Sequence, residues 1–584
     1  MKEKWMIETK KADFKEIAGR FQIDQVTARL VRNRDIIGDE AIQEYLYGGK
    51  ECLHAPQLMK DMELAVKYLA ESIQKHRHIR VIGDYDIDGI CATYILLCGL
   101  RECKAKVDHV LPDRILDGYG LNISLIDRAL ADGVETIITC DNGISAFSQV
   151  EYARKQGLTV IITDHHELKS DEAGTAILPE ADAVVNPHRP DCPYPYKQLC
   201  GAGVAYKVIR ALYEALGKAG EESNRFIEFA GFATVGDIME LTGENRILVK
   251  EALKLLNQTE NPGLRALMRV NEVEGKKITA SHIGFTLGPC MNASGRLATA
   301  EKSLQLLLAE TEGDALPIAQ ELLELNARRK DLTEQGIRRA AEEIEANGWE
   351  KDRVLVVYLP ECHESIAGII AGKIRDRYYR PTYILTDGAN SIKGSGRSIE
   401  GYFMSRELEK VQDLFSNFGG HPMAAGFSLK ERKVEEMRRR LNEVCSLTDE
   451  QLCCRIMIDV PMPLHYISEK VIEELSLLEP FGKGNKKPVF AEKALDIQSL
   501  RIIGKNQNVI KMRVRNEMGC VMDALCFQNT EKLLKYIERV FGVQELERLK
   551  QGRENRVYLS LMYYPQINEF RDERTIQIIV ESYA

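Results

Sequence analysis

Three aspartates fall within five residues of the segment VIGDYDIDG, at Asp84, Asp86 and Asp88. Carboxylates this close repel one another, and clustering them is favourable when a cation neutralises their charge. Alternate residues of a strand share one face, so all three side chains could point the same way if the preceding apolar strand continued through them. A turn or a helix N-cap at Asp88-Gly89 is the alternative.

Other acidic and imidazole side chains also follow apolar segments. Asp141 opens DNGIS after TIITC, DHHE (164–167) follows LTVII, and Asp237 follows the apolar part of GFATVGD. A lone Asp usually caps a helix or accepts backbone hydrogen bonds, but four such clusters at corresponding strand ends predict one metal centre. Carboxylates with one or two imidazoles and no thiolate favour Mg²⁺ or Mn²⁺ over structural zinc. The ligands suffice for two ions, with Asp141 as the expected bridge.

The elements that must position these residues form an alternating pattern. Continuous Val/Ile segments separated by helical segments predict a parallel sheet that is buried on both faces. The predicted strands cover 79–86, 106–112, 136–141, 158–166 and 182–187. Parallel sheets bind ligands beyond the carboxyl ends of their strands, so this edge should carry the metal site.

The remaining patterns predict an α/β protein of several parts. Pro317 and Gly348 suit the start and the end of a long connector helix, although a plain helix within one domain is an alternative. Alternating strands after residue 450 predict a small OB-like β-barrel. We therefore divide the chain into an N-terminal helical segment (1–50), a catalytic domain (51–300), a connector helix (301–350), a smaller α/β substrate-binding domain (351–450) and the barrel (451–584).

Composition restricts the class of protein. The 584 residues exceed one hydrophobic core, and 44% hydrophobic with 29% charged residues is typical of a globular protein. The net charge of −9 gives no support to bulk nucleic-acid affinity but leaves room for a local basic groove. The chain has no apolar run long enough for a membrane span, and its first 20 residues contain no apolar segment, so we expect neither a membrane span nor a secretory signal. Its 14 cysteines include no CxxC pair, so we expect reduced thiols and a cytoplasmic location.

The motifs and their order resemble a known group of enzymes. DYDIDG, DNGIS, DHHE and VGDIMELTGENR resemble the DHH phosphoesterase superfamily, and GSGRSIEGY and FGGHPMAAGF resemble its associated C-terminal domain. LPDRILDGYGLN, LCGAGVAYK, GPCMNASGRL and LEPFGKGNKKPVF are similar to the RecJ family within it, so the resemblance covers 50–584. It implies a 5′→3′ exonuclease of single-stranded DNA that depends on two Mg²⁺ or Mn²⁺ ions and acts in DNA recombination and repair.

The same resemblance implies roles for individual residues of the metal site. The implied metal ligands, which are also the implied catalytic residues, are Asp86, Asp88, Asp141, His165 and Asp237. His166 is implied as a further catalytic residue, either as a ligand or as a contact to the scissile phosphate. Asp84 would orient its neighbours, and Asp164 would be structural.

Phosphate recognition is expected from the smaller α/β domain. GSGRS provides Ser395, Arg397 and accessible N–H groups, and arginine binds phosphates bidentately. FGGH provides the further candidates Gly419, Gly420 and His421. A glycine-rich β-turn without a ligand is the alternative for both segments.

Two arginines of the catalytic domain and a basic part of the barrel are further candidates for DNA contacts. Arg114 could reach a terminal 5′ phosphate or form an exposed salt bridge, and Arg296 in NASGR is a weaker candidate. In the barrel, basic residues near aromatic ones suit a groove for a single strand. They are Lys505, Lys511, Arg513, Arg515, Tyr563 and Tyr564. Core tyrosines and a solvated basic face are the alternative.

Two other functions compete with the exonuclease. A DHH-type phosphodiesterase of small nucleotides or short oligonucleotides would need no barrel, and a non-catalytic DNA-binding scaffold would not need every metal ligand. For partners, the resemblance implies single-stranded DNA, a single-strand-binding protein and a RecQ-type helicase. We expect a monomer without membrane contact.

Overall fold

The computed structural model describes residues 3–584 apart from 115–116, 119, 172–173, 389–390, 431–432, 505–506, 528–529 and 571–572. The described residues form two compact units, one of 49–454 with 482–484 and one of 3–48, 455–481 and 485–584. Parallel, mixed and barrel-like sheets are all present, which confirms the predicted α/β fold class. The finer division at residues 50, 300, 350 and 450 remains a prediction.

A five-stranded parallel sheet lies at the centre of the first unit. Its strands are β1 (His78–Ile82), β2 (Lys106–Val110), β3 (Thr136–Cys140), β4 (Thr159–Thr163) and β5 (Ala183–Val185). The order is β2-β1-β3-β4-β5, and every pairing is parallel. The strands lie where the Val/Ile segments predicted them, but each one ends before its polar motif.

Helices cover both faces of this sheet. Ile138 of β3 packs into one buried cluster and its neighbour Ile137 into another, as the alternation of side chains along a strand requires. Three helices position the site: α1 (Ile87–Glu102), α2 (Gly201–Ala215) and α3 (Ile227–Gly236). The other helices of this region are Met62–Gln74, Ile123–Ala131, Phe147–Lys155, Gly243–Leu256, Pro262–Val270, Ala280–His282, Gly288–Leu297 and Glu301–Leu308.

A single long helix, α4 (Glu312–Asn347), follows. It has 36 residues and is therefore about 54 Å long. It ends at Gly348 as predicted, but it begins before Pro317, because the Thr311 side chain accepts a hydrogen bond from an N–H of the first turn (3.2 Å). Since Glu301–Leu308 is a separate helix, the predicted connector at 301–350 consists of two helices.

A second five-stranded sheet follows in the same unit. Its strands are β6 (Leu355–Tyr358), β7 (Thr382–Asp387), β8 (Ile392–Arg397), β9 (Phe415–His421) and β10 (Ala424–Leu429), in the order β9-β10-β8-β7-β6. Helix α5 (Glu364–Tyr378) packs against β7 and β8, and the other helices are Met404–Glu409 and Val434–Val444. A glycine-rich β-turn was the alternative for GSGRS and FGGH, but GSGR lies in β8 and FGGH in β9.

The second unit contains the predicted barrel. Its strands are β11 (Val460–Pro461), β12 (Phe490–Ile503), β13 (Val509–Arg515), β14 (Val521–Cys526), β15 (Tyr558–Phe570) and β16 (Glu573–Tyr583). The order is β11-β12-β13-β14-β16-β15, and β15 pairs back onto β12, which closes the sheet. Its helices after residue 454 are Glu469–Leu475, Thr530–Phe541 and Val543–Lys550.

The N-terminal segment belongs to the barrel unit. Its helices are Phe14–Phe21, Gln25–Asn33 and Asp39–Tyr47, and its strand Glu3–Ile7 pairs with Cys454–Ile458. Leu30 and Leu46 are buried in the same apolar cluster as Phe490 of β12. The two ends of the chain therefore share one core.

The described residues include every cysteine of the chain, and none of them forms a disulfide. Within the same residues, no helix combines the length and the apolar composition that crossing a bilayer requires.

Candidate metal centre and phosphate site

The aspartate-rich segment is a turn from a strand into a helix. Strand β1 ends at Ile82 and α1 begins at Ile87, so the strand does not continue through the three aspartates, and the alternative of a helix N-cap is correct. The N-cap is Asp86, whose Oδ1 accepts hydrogen bonds from the N–H groups of Asp88 (3.0 Å) and Gly89 (3.1 Å). The partial positive charge of a helix N-terminus stabilises carboxylates, which explains why this turn tolerates them.

A second helix N-terminus holds Asp88. The N–H of Gly201 donates to Asp88 Oδ2 (2.6 Å) and that of Ala202 to Oδ1 (2.8 Å). A methyl group on Gly201 would lie 2.7 Å from Cβ of Asp141, so α2 can approach the centre because this residue has no side chain. No role was predicted for Gly201 and Ala202. The signal for one was the pair Gly201 and Gly203 in the motif LCGAGVAYK.

Asp141 and the histidines meet at the ends of β3 and β4. Asp141 has φ +61°, a left-handed conformation that turns the chain out of the strand. The Nε2 atom of His165 is 3.0 Å from Asp141 Oδ1 and 3.5 Å from Asp88 Oδ2. Asp164 accepts hydrogen bonds from the N–H of His165 (2.7 Å) and the Nδ1 of His166 (2.7 Å), so it orients both histidines.

Asp237 completes the cluster from a helix. It was predicted to follow a strand, but it follows α3, because the apolar segment GFATVG is the last part of that helix and not a strand. Potential ligand atoms lie within 4.8 Å of one another in three overlapping groups. The groups are Asp84–Asp86–Asp141, Asp88–His165–Asp237 and Asp141–His165–His166. The grouping of Asp84 with Asp86 and Asp141 makes Asp84 a further potential ligand, and its expected role of orienting its neighbours stays a prediction.

The cluster carries more negative charge than its surroundings compensate. Burial and the neighbouring Asp86 raise the pKa of Asp84 well above its usual range. Burial, followed by the other carboxylates of the cluster, has the same effect on the pKa of Asp141 and of Asp237. Among the described residues, Asp84 Oδ1 is buried and has no hydrogen-bond partner. Oxygen and imidazole donors without a thiolate fit a hard divalent cation.

The cationic candidates lie close to this cluster. The guanidinium of Arg114 lies over the ring of Tyr85 (4.1 Å), and Arg296 donates from Nη1 to the carbonyl of Ser365 (2.6 Å). Burial and then repulsion from Arg114 lower the pKa of Arg296 to about 10, and burial also lowers the pKa of Arg397. Repulsion among buried guanidinium groups is relieved by a bound anion, which makes this a candidate phosphate site.

Two cavities are each lined by several of the predicted residues. One of about 520 Å³ is lined by Tyr85, Arg114, Ser395 and Gly419, among others. The other, of about 430 Å³, is lined by His166 together with Gly420 and His421. Ser395 and Arg397 also face α5, where a methyl group on Gly368 would lie 2.8 Å from both side chains. The structure thus brings the phosphate candidates of β8 and β9 to the metal cluster.

The two neighbouring tyrosines of the barrel are too buried to stack on DNA bases. Tyr563 is fully buried and donates its hydroxyl to the Met462 carbonyl, and Tyr564 is only 9% exposed. The alternative of core tyrosines is therefore correct, because both residues fill the barrel interior. Three of the basic candidates form ion pairs: Lys511 and Arg513 with Asp523, and Arg515 with Asp496. Lys505 lies outside the described residues.

Known proteins are similar to this chain in sequence and in fold. The chain is 32% identical over 589 residues to the single-stranded-DNA-specific exonuclease RecJ of Bacillus subtilis (strain 168), across 100% of this chain and 71% of the relative. The chain belongs to the RecJ family. Within it, residues 78–236 match the DHH family N-terminal domain, 351–447 the DHHA1 domain and 458–582 the RecJ OB domain.

Two solved RecJ structures are similar to this chain. That of RecJ from Thermus thermophilus in complex with Mg²⁺ has a TM-score of 0.75 and 25% identity, and the match covers 100% of this chain and 78% of that one. That of an exonuclease RecJ bound to manganese has a TM-score of 0.57 and 32% identity, over 66% and 94% of the two chains. The RecJ resemblance drawn from the motifs is thereby confirmed.

Proposed function

We propose that this chain is a metal-dependent exonuclease that hydrolyses phosphodiester bonds of single-stranded DNA in the 5′→3′ direction. The observation that carries the proposal is a cavity lined by Arg114, Lys393 and Ser395 that also reaches Tyr85, the residue between Asp84 and Asp86 of the carboxylate cluster. A terminal phosphate held by the arginines would leave the next phosphodiester at the metal centre. The names of the RecJ relatives support the same substrate.

The cluster has the donors for two Mg²⁺ or Mn²⁺ ions. The proposed ligands are Asp86, Asp88, Asp141, His165 and Asp237, to which the spacing adds Asp84. When bound, such ions supply Lewis-acid stabilisation of the negative charge that develops on the phosphoryl oxygens. Burial alone would lower the pKa of His166, but its hydrogen bond to Asp164 raises that pKa to about 9. A protonated His166 would donate a hydrogen bond to the scissile phosphate.

The polarity of the reaction follows from the anchoring of the 5′ end. A terminal phosphate would be held by the side chains of Arg114, Arg296, Ser395 and Arg397. Further contacts would come from the neighbouring strand, through His421 and the N–H groups of Gly419 and Gly420. A cavity of about 520 Å³ is of the size that holds one nucleotide. An enzyme that grips the terminal phosphate and cuts the next bond releases mononucleotides from the 5′ end.

The test is digestion of 5′-phosphorylated single strands that carry a label at one end or the other. With Mg²⁺ or Mn²⁺ we expect labelled mononucleotides to appear at once from the 5′-labelled strand and only at the end of digestion from the 3′-labelled strand. EDTA should abolish both signals. A cyclic dinucleotide serves as the control. Hydrolysis of that control alone would support a small-nucleotide phosphodiesterase, and metal-dependent strand binding without cleavage would support a scaffold.

The proposal extends to the location, the oligomeric state and the partners of the enzyme. We propose that the enzyme acts as a cytoplasmic monomer in DNA recombination and repair, together with a single-strand-binding protein and a RecQ-type helicase. Light scattering tests the monomeric state, and pull-down experiments test the interactions with the single-strand-binding protein and with the helicase.

The barrel would contribute contacts to a long strand. The exposed side chains of Lys511 and Arg513 would contact its phosphates. Charge reversal at both positions should weaken binding of long strands and reduce its salt dependence, and should leave short oligonucleotides unaffected.

A further inference from the structure

Ile238, the residue after Asp237, has an unusual backbone conformation. Its φ is +58°, which β-branched residues rarely adopt. The N–H of Ile238 bonds to the Val235 carbonyl (3.2 Å) and that of Met239 to the Thr234 carbonyl (3.0 Å), so Ile238 occupies the helix-ending position that usually belongs to glycine. Its side chain is 69% exposed, so packing does not account for an isoleucine here. Local strain at a site residue points to a functional use of the side chain.

A second exposed apolar side chain belongs to the same end of α3. Phe285 is 80% exposed and lies in a π-helical turn, Ile283–Leu287, a type of turn that is frequent at functional sites. The turn packs on α3, because a methyl group on Gly284 would lie 3.8 Å from Val235 and one on Gly288 would lie 3.8 Å from Cα of Gly236. Ile238 and Phe285 therefore both border the end of α3 that carries Asp237.

Basic residues lie near both the aspartate-rich turn and the segment after Asp237. The guanidinium of Arg114 lies over the ring of Tyr85, which stands between Asp84 and Asp86 (4.1 Å). The carbonyl of Lys483 accepts a hydrogen bond from the N–H of Leu241, four residues after Asp237 (2.7 Å). A strand whose 5′ phosphate sits at the arginines would cross the cluster and leave it past Asp237 and Lys483.

We propose that Ile238 and Phe285 form a platform for the base of the nucleotide directly 3′ of the scissile bond. This proposal rests on the proposed exonuclease function. Every base has an apolar face, so stacking on Phe285 and contact with Ile238 would be independent of sequence. The platform would hold the downstream nucleotide unstacked from its neighbour and so fix the scissile phosphate over the cluster. It would favour a single strand, whose bases are free to turn onto it.

The test measures each enzyme variant on two substrates and compares the effect of removing one base. Short 5′-phosphorylated oligonucleotides carry either a normal or an abasic second nucleotide, and kcat and KM are measured with Mg²⁺ or Mn²⁺. In the parent enzyme the abasic nucleotide should raise KM about fivefold or more. In Phe285→Ala and Ile238→Asn this penalty should fall below about twofold, and Phe285→Trp should keep it. Leu255→Asn, an exposed apolar residue of another helix, is the matched control and should keep the full penalty.

The melting temperature separates a platform from a structural role. Asn adopts the left-handed conformation more easily than Ile, so Ile238→Asn should melt at or above the temperature of the parent while its KM rises. An abasic penalty that is the same in the parent, Ile238→Asn and Phe285→Ala would overturn the platform. A parent that cleaves neither oligonucleotide would overturn the proposed function itself, which is a different result from a parent that cleaves both equally well.

Discussion

Replacing Asp141 by Asn removes one negative charge from the centre of the cluster and keeps the size of the side chain. Asn is preferable to Ala, because residue 141 has φ +61° and Asn tolerates this left-handed conformation. Asp141 belongs to two of the three groups of potential ligands, and burial with the charges of Asp88 and Asp86 raises its pKa. The variant should therefore lose metal binding and hydrolysis but keep its fold.

The magnitudes follow from the spacing of the carboxylates. Two unit charges 4.8 Å apart repel each other by about 3.5 kcal/mol at an effective dielectric constant of 20. Protonation relieves part of this repulsion in the metal-free protein, so Asp141→Asn should stabilise that form by about 1–2 kcal/mol. Metal at about 100 times its Kd stabilises the parent by about 2.7 kcal/mol, and the variant should lose most of this gain. Its kcat should fall about a thousandfold, or about 4 kcal/mol in the barrier.

The assay measures thermal unfolding with EDTA and with a series of Mg²⁺ or Mn²⁺ concentrations, beside kcat on a 5′-phosphorylated strand. The expected signature has two opposite signs: a higher melting temperature than the parent without metal, and a lower one with metal. A merely structural aspartate would give a lower melting temperature in both conditions. That result, or an undiminished metal-dependent increase, would refute the assignment of Asp141.

Three further predictions concern the surroundings of the centre. Gly201→Ala should lower kcat about tenfold to a hundredfold, because its methyl group would displace Asp141. Gly203→Ala should match the parent, since its methyl group would meet nothing closer than 3.5 Å. Equal kcat in both variants would contradict this prediction. Arg397→Ala should raise KM about tenfold or more without changing metal affinity, while the exposed Arg377→Ala should not; an unchanged KM would leave Arg397 without a substrate role. Burial raises the pKa of Glu228 from 4.5 to about 7, so the folded protein holds this proton more tightly than the unfolded chain and loses stability as pH rises from 4.5 through 7. The stabilisation by Glu228→Gln should therefore grow between about pH 5 and pH 8, up to about 3 kcal/mol, and a pH-independent difference in melting temperature would refute it.

The parallel sheet and the location of the site could be predicted, because both depend on patterns that a few residues carry. Val/Ile segments between helices specify buried parallel strands, and the polar residues that follow them must meet at one edge of the sheet. Asp141 and His165 illustrate this, since they follow the ends of neighbouring strands and His165 Nε2 lies 3.0 Å from Asp141 Oδ1. The barrel was predictable for a similar reason, as its alternating pattern specifies strands with one buried face.

The errors arose where one local pattern allows two backbones. Asp86 fits a strand end or a helix N-cap equally well in sequence, and the cap prevails because its side chain bonds to two N–H groups of α1. Asp237 follows an apolar segment that is continuous like a buried strand but is a buried helix. GSGR suggests a loop by its glycines. It forms a strand because Gly394 leaves room for Phe427 and Gly396 for Tyr383 on one face of β8.

The support that the metal cluster receives from helix N-termini explains how a charged centre can exist before metal binds. Asp86 caps α1, and Asp88 accepts two N–H groups from the start of α2, so two helix dipoles offset part of the negative charge. Neither helix donates a hydrogen bond to Oδ1 of Asp84, which has no hydrogen-bond partner among the described residues. The fold thus stabilises the carboxylates enough to hold their geometry and leaves a deficit of positive charge that divalent ions would fill. A centre whose ligands are already held in this way would need little rearrangement of the protein when it binds metal.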